Sequence, residues 1–157
     1  MVYGVTGFRL TASSDEEVNR LVAEVQLLEA TINALSSRLE LTEAALNESR
    51  MALETLKAVK GAKEGDSILV PIGADSYIFA KIDSTEKVIV GVGANVRVEK
   101  SIESSIEMVD QRINRLEQVR KALEQQLIQA SQRLGEAREN LERLIRAREA
   151  GSPARRS

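Results

Sequence analysis

Apolar residues recur at alternating intervals of three and four along two long stretches of the chain. In the first stretch this heptad spacing never slips, and such a sustained repeat predicts a coiled-coil helix. The capping box Ser14-Asp15-Glu16-Glu17 predicts the start of this helix, and Gly61 predicts its end. The a and d positions are Val18, Leu21, Val25, Leu28, Ile32, Leu35, Leu39, Thr42, Leu46, Ser49, Leu53 and Leu56.

The second stretch carries the same repeat, and Gly151 and Pro153 predict where it ends. Each predicted helix has roughly 47 residues and is about 70 Å long. The a and d positions are Ile102, Ile106, Val109, Ile113, Leu116, Arg120, Leu123, Leu127, Ala130, Leu134, Ala137, Leu141 and Leu144.

Two helices of equal length predict an antiparallel coiled-coil hairpin, in which a residues meet d residues at a constant sum of residue numbers. One sum serves the whole length of both stretches. It pairs Val18 with Leu144, Ile32 with Ala130, Leu35 with Leu127, Leu39 with Leu123, and Leu56 with Ile106.

The same pairing brings together the polar interruptions Thr42 and Arg120. A polar layer costs stability but can fix the register of a long seam, so we interpret Thr42 and Arg120 as a register layer. Ser49, opposite Ile113, has no explanation in the sequence.

Charges on one flank of the predicted pair are complementary. Arg50 and Lys57 lie on the flank that carries Glu103, Asp110 and Glu117 of the other helix. Exposed pairs of this kind help to select the helical partner more than they stabilise it.

The central segment between the helices reads as two β-hairpins. Gly73-Ala74-Asp75-Ser76 and Gly93-Ala94 supply the turns, and Pro71 predicts an edge or a bulge because it cannot donate a ladder hydrogen bond. The predicted strands are Ser67–Ile72, Tyr77–Ile82, Lys87–Val92 and Asn95–Lys100.

Four short strands form a marginal sheet, and the apolar stripes of the helices are already used against each other. We therefore expect the hairpins to assemble with other subunits into a shared β-barrel, which would also cover exposed strand edges. The predicted assembly residues are Ile68, Val70, Ile78, Val88, Ile89, Val90, Val92, Val96 and Val98.

The predicted fold is mainly α with a small β module. It consists of a flexible segment (1–13), a coiled-coil helix (14–60), the two hairpins (61–100), a second coiled-coil helix (101–150) and a flexible tail (151–157).

Composition restricts the chemistry. The 157 residues include no His and no Cys, which removes the usual general base, the thiol nucleophile and most zinc ligands. A net charge of −2 and 3% aromatic residues argue against nucleic-acid binding. The absence of a long apolar run and of a signal sequence predicts a cytoplasmic protein without a membrane span. We expect neither a cofactor nor a metal.

The order of a long helix, VPIGADSYIFAKI, KVIVGVGANVRVEKS and a second long helix resembles the prefoldin family, and the two hairpins resemble its alpha subunit. The resemblance implies an ATP-independent holdase, built as a hexamer of two alpha and four beta subunits. It further implies that the tips of the coiled coils bind non-native proteins and pass them to a group II chaperonin.

Apolar residues outside the seam lie near the free ends of the predicted helices, where we expect client proteins to bind. Single exposed apolar residues are also common, and Leu41, Met108 and Ile128 lie off the stripe as well. The candidate client-binding residues are Val22, Leu27, Ile145, Phe8 and Leu10.

Three functions remain open at this point. A holdase subunit is favoured. A coiled-coil scaffold or tether would share the helices but needs neither an assembly module nor apolar free ends. An enzyme comes last, because the Glu residues of the helices lie on solvated faces without a cleft.

Overall fold

The computed structural model describes the backbone of residues 6–151 and the side chains of residues 14–151. The predicted fold class is confirmed. Along the chain, two antiparallel hairpins lie between two long helices. The elements are α1 (Thr6–Gly61), β1 (Ser67–Gly73), β2 (Ser76–Lys81), β3 (Lys87–Gly93), β4 (Val96–Ser101) and α2 (Ile102–Gly151).

Helix α1 extends upstream of the predicted capping box, because it begins at Thr6 and Ser14 lies within it. This corrects the predicted start. Arg9, Leu10 and Ala12 are good helix formers, so the sequence before Ser14 does not oblige the helix to stop there. The side chains of Phe8 and Leu10, both candidate client-binding residues, lie outside the described residues.

The chain divides into two compact units, one formed by Met1–Glu40 with Lys121–Ser157 and the other by Leu41–Arg120. In the first unit, the carboxylate of Glu29 lies 2.6 Å from the guanidinium of Arg138, and Asp15 pairs with Arg148. The two helical segments of this unit are therefore antiparallel. A buried cluster joins three of the predicted a and d pairs. Its members, with the residues packed against it, are Ile32, Leu35, Leu39, Leu123, Leu127 and Ala130.

The second unit contains the remaining helical segments and both hairpins. Leu46, Ser49 and Ile113 are buried between its helices. The hydroxyl of Ser49 donates a hydrogen bond to the carbonyl of Ala45 at 2.7 Å. This bond within the helix satisfies the hydroxyl and explains how a serine is accommodated opposite Ile113.

The heptad assignment is confirmed by burial. Every predicted a and d residue from Val18 to Leu144 is buried or half-buried. Off the stripe, large apolar side chains such as Leu41, Met51 and Ile128 are exposed.

The two hairpins share one turn geometry. Ala74 and Asp75 have φ values of 47° and 56°, and Ala94 and Asn95 have φ values of 47° and 59°. Two consecutive residues with positive φ are typical of the type I′ turn, whose twist matches that of paired strands. In the first hairpin the register shifts between Pro71 and Gly73, next to the proline for which an edge or a bulge is predicted. The second hairpin shifts in the same way between Gly91 and Gly93 without a proline, so the shift belongs to the shared turn geometry.

Backbone hydrogen bonds close the base of the first hairpin and join the start of α2 to the loop between the hairpins. The amide of Gly65 donates to the carbonyl of Ile82 at 2.7 Å, and the amide of Ile82 donates to the carbonyl of Asp66 at 2.9 Å. The amide of Ile102 donates to the carbonyl of Glu86 at 2.9 Å. Ile82 and Ile102 are also buried, so these contacts hold the base of the first hairpin and the start of α2 in place within the second unit.

Candidate functional site: exposed apolar surfaces and a polar layer

The first hairpin is apolar on both faces. On one face the register pairs Ile68 with Ala80 and Val70 with Ile78. The other face is formed by the pairs Leu69 with Phe79 and Pro71 with Tyr77. The side chain of Phe79 is 87% exposed, and those of Leu69 and Tyr77 are also exposed. Exposed apolar patches of this kind mark interaction surfaces.

The two faces of the second hairpin differ in polarity. One face pairs Val90 with Val98 and also carries Lys100, whereas the more polar face pairs Ile89 with Glu99. Lys87 lies 2.9 Å from Glu99 on that polar face. The hydrogen bond with Glu99, together with the attraction of its carboxylate, raises the pKa of Lys87 above the usual 10.5. The carboxylate of Glu99 is therefore already paired with Lys87 of the same chain.

The predicted assembly residues are all at least partly exposed, as an unfilled interface requires, and their role in assembly stays a prediction. The exposed members are Ile68, Ile78, Ile89, Val92 and Val96, and the half-buried members are Val70, Val88, Val90 and Val98.

The sequence analysis did not include four exposed apolar residues of the first hairpin among the assembly residues. The signal was present in the uninterrupted apolar runs of both strands, which indicate two covered faces. The missed residues are Leu69, Ile72, Tyr77 and Phe79.

The candidate client-binding surface lies on one flank of the first unit. Val22 is 37% exposed and Ile145 is 41% exposed, although both lie on otherwise polar helix surfaces. Val22 precedes Glu29 by one heptad, and Ile145 follows Arg138 by one heptad. Because Glu29 and Arg138 are in contact, the helical repeat places Val22 and Ile145 opposite each other. Their apolar side chains thus occupy positions that an ion pair occupies one heptad away.

Leu27 lies elsewhere on the first unit and is 69% exposed. The structure therefore does not join Leu27 to the Val22 and Ile145 flank by heptad position. Its contact with clients stays a prediction.

Charged residues surround the apolar flank. Glu17 and Arg20 approach within 4.0 Å, and Glu142 pairs with Arg146. Both pairs form within one helix, are exposed and contribute little stability. They keep the end of the unit hydrated while leaving Val22 and Ile145 accessible to another molecule.

The polar layer lies within the second unit. Thr42 and Arg120 are both half-buried, as their positions in the stripe predict. Arg120 lines a recess of about 330 Å³ together with Glu43, Asn47 and Arg50. Its Nε is buried without a hydrogen-bond acceptor among the described residues, although Arg120 makes other polar contacts. Such an arrangement carries a desolvation cost. The role of this layer in fixing the register stays a prediction.

Within the part of the chain that the structure describes, no helix is both long and apolar enough to cross a membrane. The same residues contain no group of acidic side chains arranged to hold a metal ion.

The fold and its surfaces define a class of coiled-coil proteins in which a small β module lies between two long helices along the chain. The sequence profile of the family described as "Prefoldin subunit" matches residues 28–147. The chain therefore belongs to the prefoldin family, a family of chaperone subunits.

Curated relatives agree with the assignment to the prefoldin family and place the chain with the alpha subunits. The chain is 40% identical over 112 residues to prefoldin subunit alpha of Methanopyrus kandleri, an alignment that covers 71% of each chain. It is 32% identical over 141 residues to prefoldin subunit alpha of Nitrosopumilus maritimus, covering 89% of this chain and 97% of the relative.

Solved structures show the same fold. A chain of the filamentous PFD from Methanocaldococcus jannaschii matches with a TM-score of 0.52 and 28% identity, covering 80% of this chain and 98% of that one. The prefoldin beta subunit from Thermococcus strain KS-1 matches with a TM-score of 0.55 and 13% identity, covering 83% of this chain and 93% of that one.

Proposed function

We propose that this chain is a subunit of an ATP-independent holdase that binds non-native proteins at the ends of its coiled coil. The observation that carries the proposal is the exposed pair Val22 and Ile145, which replaces an ion pair on the flank of the first unit. Burial of an aliphatic side chain against a client is worth about 1.5 to 3 kcal/mol when desolvation is complete. One such contact is weak, so useful affinity requires several subunits acting on one client.

The strand faces supply the means of joining several subunits. The exposed residues of the first hairpin, among them Leu69 and Phe79, require covering by other chains. We infer a hexamer of two such chains with four prefoldin beta subunits, joined through a shared β-barrel. A head-to-tail contact that does not close would instead give an open filament, the form named for the relative from M. jannaschii.

Membership of the prefoldin family and the exposed apolar surface support an inference about the role in the cell. We infer that the assembly works in the cytoplasm and delivers its clients to a group II chaperonin. Because an apolar grip needs no catalytic group, the function is binding and not catalysis.

The proposal is tested by light scattering from a client protein that aggregates on dilution from denaturant. The assembled protein should suppress scattering to the same extent with and without ATP. A tether or scaffold would leave the scattering unchanged, and an ATP-driven enzyme would need the nucleotide. Mass measurement of the same sample distinguishes a closed hexamer from an open filament.

A further inference from the structure

Helix α1 carries a second apolar surface in the first unit, on the side that faces away from the a and d seam. We call this surface the outer face of α1. Its residues are all exposed, and the side chain of Leu27 is 69% exposed. The apolar members are Ala23, Leu27, Ala30 and Ala34, and the polar residues Arg20 and Ser37 lie at the two ends of the surface.

The equivalent surface of α2 in the same unit is polar. Its exposed residues are Gln125, Gln129, Gln132, Glu136 and Glu139. The two helices therefore share a seam but differ on their outer surfaces. A helix that is apolar on two sides is typically covered on both, whereas a polar outer surface is typical of a helix that faces water.

The outer face of α1 has the spacing of a coiled-coil seam, because its residues recur at alternating intervals of four and three. In an antiparallel pair of two such faces, Leu27 of each copy lies against Ala30 of the other, and Ala23 lies against Ala34. Each large side chain thus meets a small one, which allows the two helices to pack closely.

Charges beside the outer face are complementary in this register. The contact between Glu29 and Arg138 shows how flanking residues are offset from the seam within this chain. The same offset brings Glu24 of each copy opposite Arg38 of the other. Both residues are exposed, and Glu24 forms no ion pair with another described residue. The pair would thus contain two reciprocal ion pairs.

The other flank carries only amides. In the same register, Gln26 of one copy faces Gln26 of the other, and Asn33 faces Asn19. All three residues are exposed. An amide both donates and accepts hydrogen bonds, so these contacts are compatible with each other.

Other arrangements of two copies are less favourable. A parallel pair would bring Leu27 against Leu27 and would separate Glu24 from Arg38. An antiparallel pair shifted by two heptads would bring Arg38 against Arg38, which is repulsive. The charges therefore select one orientation and one register.

We propose that the outer face of α1 is a docking surface for a second copy of this chain, paired antiparallel through Leu27 and Ala30 and through reciprocal ion pairs of Glu24 with Arg38. The same surface serves on both copies, so the contact is isologous. It involves neither the hairpins nor the client-binding flank and so goes beyond the proposed function. A contact over about five turns of helix is smaller than a standard stable interface, which makes the pairing transient.

Chemical cross-linking tests the register, because the chain contains no cysteine and one substitution introduces one thiol per copy. Gln26→Cys and Asn33→Cys are matched variants, since both residues are exposed and occupy the same heptad position. In the proposed pair Gln26 meets itself, whereas the two copies of Asn33 lie about 20 Å apart along the helix. Association through the hairpins would affect both variants alike.

A short bifunctional maleimide should give about tenfold more covalent dimer with Gln26→Cys than with Asn33→Cys. A mixture of Asn33→Cys and Asn19→Cys chains should cross-link, although neither variant does so alone. Equal yields from Gln26→Cys and Asn33→Cys would overturn the proposal. No client is present, so the result is independent of client binding.

Charge reversal in the Gln26→Cys chain tests the ion pairs. Glu24→Arg should reduce the covalent dimer about tenfold, because two cations then face each other, and the addition of Arg38→Glu should restore it. The control is Glu139→Arg on the polar surface of α2, which should change nothing. Circular dichroism confirms that each variant is folded. An unchanged yield in Glu24→Arg, or no recovery in the folded double variant, would contradict the proposed pairing.

Discussion

Arg50 of α1 donates a hydrogen bond to Glu117 of α2, with 2.9 Å between the guanidinium nitrogen and the carboxylate oxygen. Exchanging the two charges in Arg50→Glu with Glu117→Arg should restore most of the stability that either single substitution removes. We expect a coupling free energy of about 0.2 to 1 kcal/mol, because both side chains are substantially exposed. Denaturant unfolding of the four proteins measures it. Coupling that is unchanged in high salt would contradict an ionic origin.

Stability should depend on the ionisation of Glu103 at the start of α2. Its backbone amide donates a hydrogen bond to its carboxylate, and Lys60 lies 3.5 Å away, so the pKa of Glu103 is held below the usual 4.5. A lowered pKa in the folded state adds stability that is fully present above about 4.5 and is lost as pH falls through the lowered value.

Glu103→Gln should therefore reduce stability near neutral pH and flatten its loss on acidification. Unfolding in denaturant at a series of pH values measures both effects. Glu107→Gln is the control, because Glu107 is exposed on the same helix and forms no ion pair among the described residues. If the two variants have the same pH profile, Glu103 has no special role.

Replacing the polar layer should stabilise the second unit. Thr42→Leu with Arg120→Leu exchanges a half-buried hydroxyl and a half-buried guanidinium for apolar packing. We expect a gain of about 1 to 3 kcal/mol in the free energy of unfolding, together with looser register. Thermal unfolding by circular dichroism tests this. The control adds two leucines at the exposed positions Gln111 and Gln118 and should give no gain. A less stable double variant would mean that the polar contacts of Arg120 outweigh its desolvation.

The isolated chain should self-associate poorly or heterogeneously, because the exposed faces of its hairpins lack partners. Mixing with a prefoldin beta subunit should give one defined mass. Native mass spectrometry and hydrogen exchange make the test. A stable monomer whose strand amides are fully protected would contradict the assembly role of the hairpins.

The long-range pairing of the helices could be predicted because the heptad repeat defines which residues face the seam, and one constant sum of residue numbers then defines their antiparallel register. The buried cluster around Leu35, Leu123 and Ala130 contains the pairs given by that rule, and the flank charges of Arg50 and Glu117 meet as expected. Local turn chemistry was equally informative, since Ala74-Asp75 lies in the turn assigned from the sequence.

Other features needed three-dimensional information. The burial of Ser49 depends on a hydrogen bond to Ala45, which a pattern of apolar positions does not encode. The face of the first hairpin that carries Leu69 and Phe79 is exposed in the structure, although neither residue was among the predicted assembly residues. A groove beside β3 is lined by residues of both helices and of the strand, such as Leu56, Val90 and Val109. These residues are far apart in the sequence, so the groove is visible only in the fold.

The apolar flank of the first unit is the centre of the functional account, and its removal should leave the fold intact. Val22→Ser with Ile145→Ser changes two partly exposed residues outside the a and d positions. The matched control is Leu41→Ser with Ile128→Ser, which removes apolar surface that is 72% and 58% exposed elsewhere on the helices. Both variants should form hexamers of wild-type mass.

The most direct measurement is the suppression of client aggregation by these two hexamers at equal concentration. The Val22 and Ile145 variant should protect the client several-fold less well than the wild type, because individually weak losses multiply across the subunits that grip one client. The control should protect as the wild type does, and moderate salt should change neither result if the contact is apolar. Full protection by the Val22→Ser with Ile145→Ser hexamer would contradict the proposed client-binding surface.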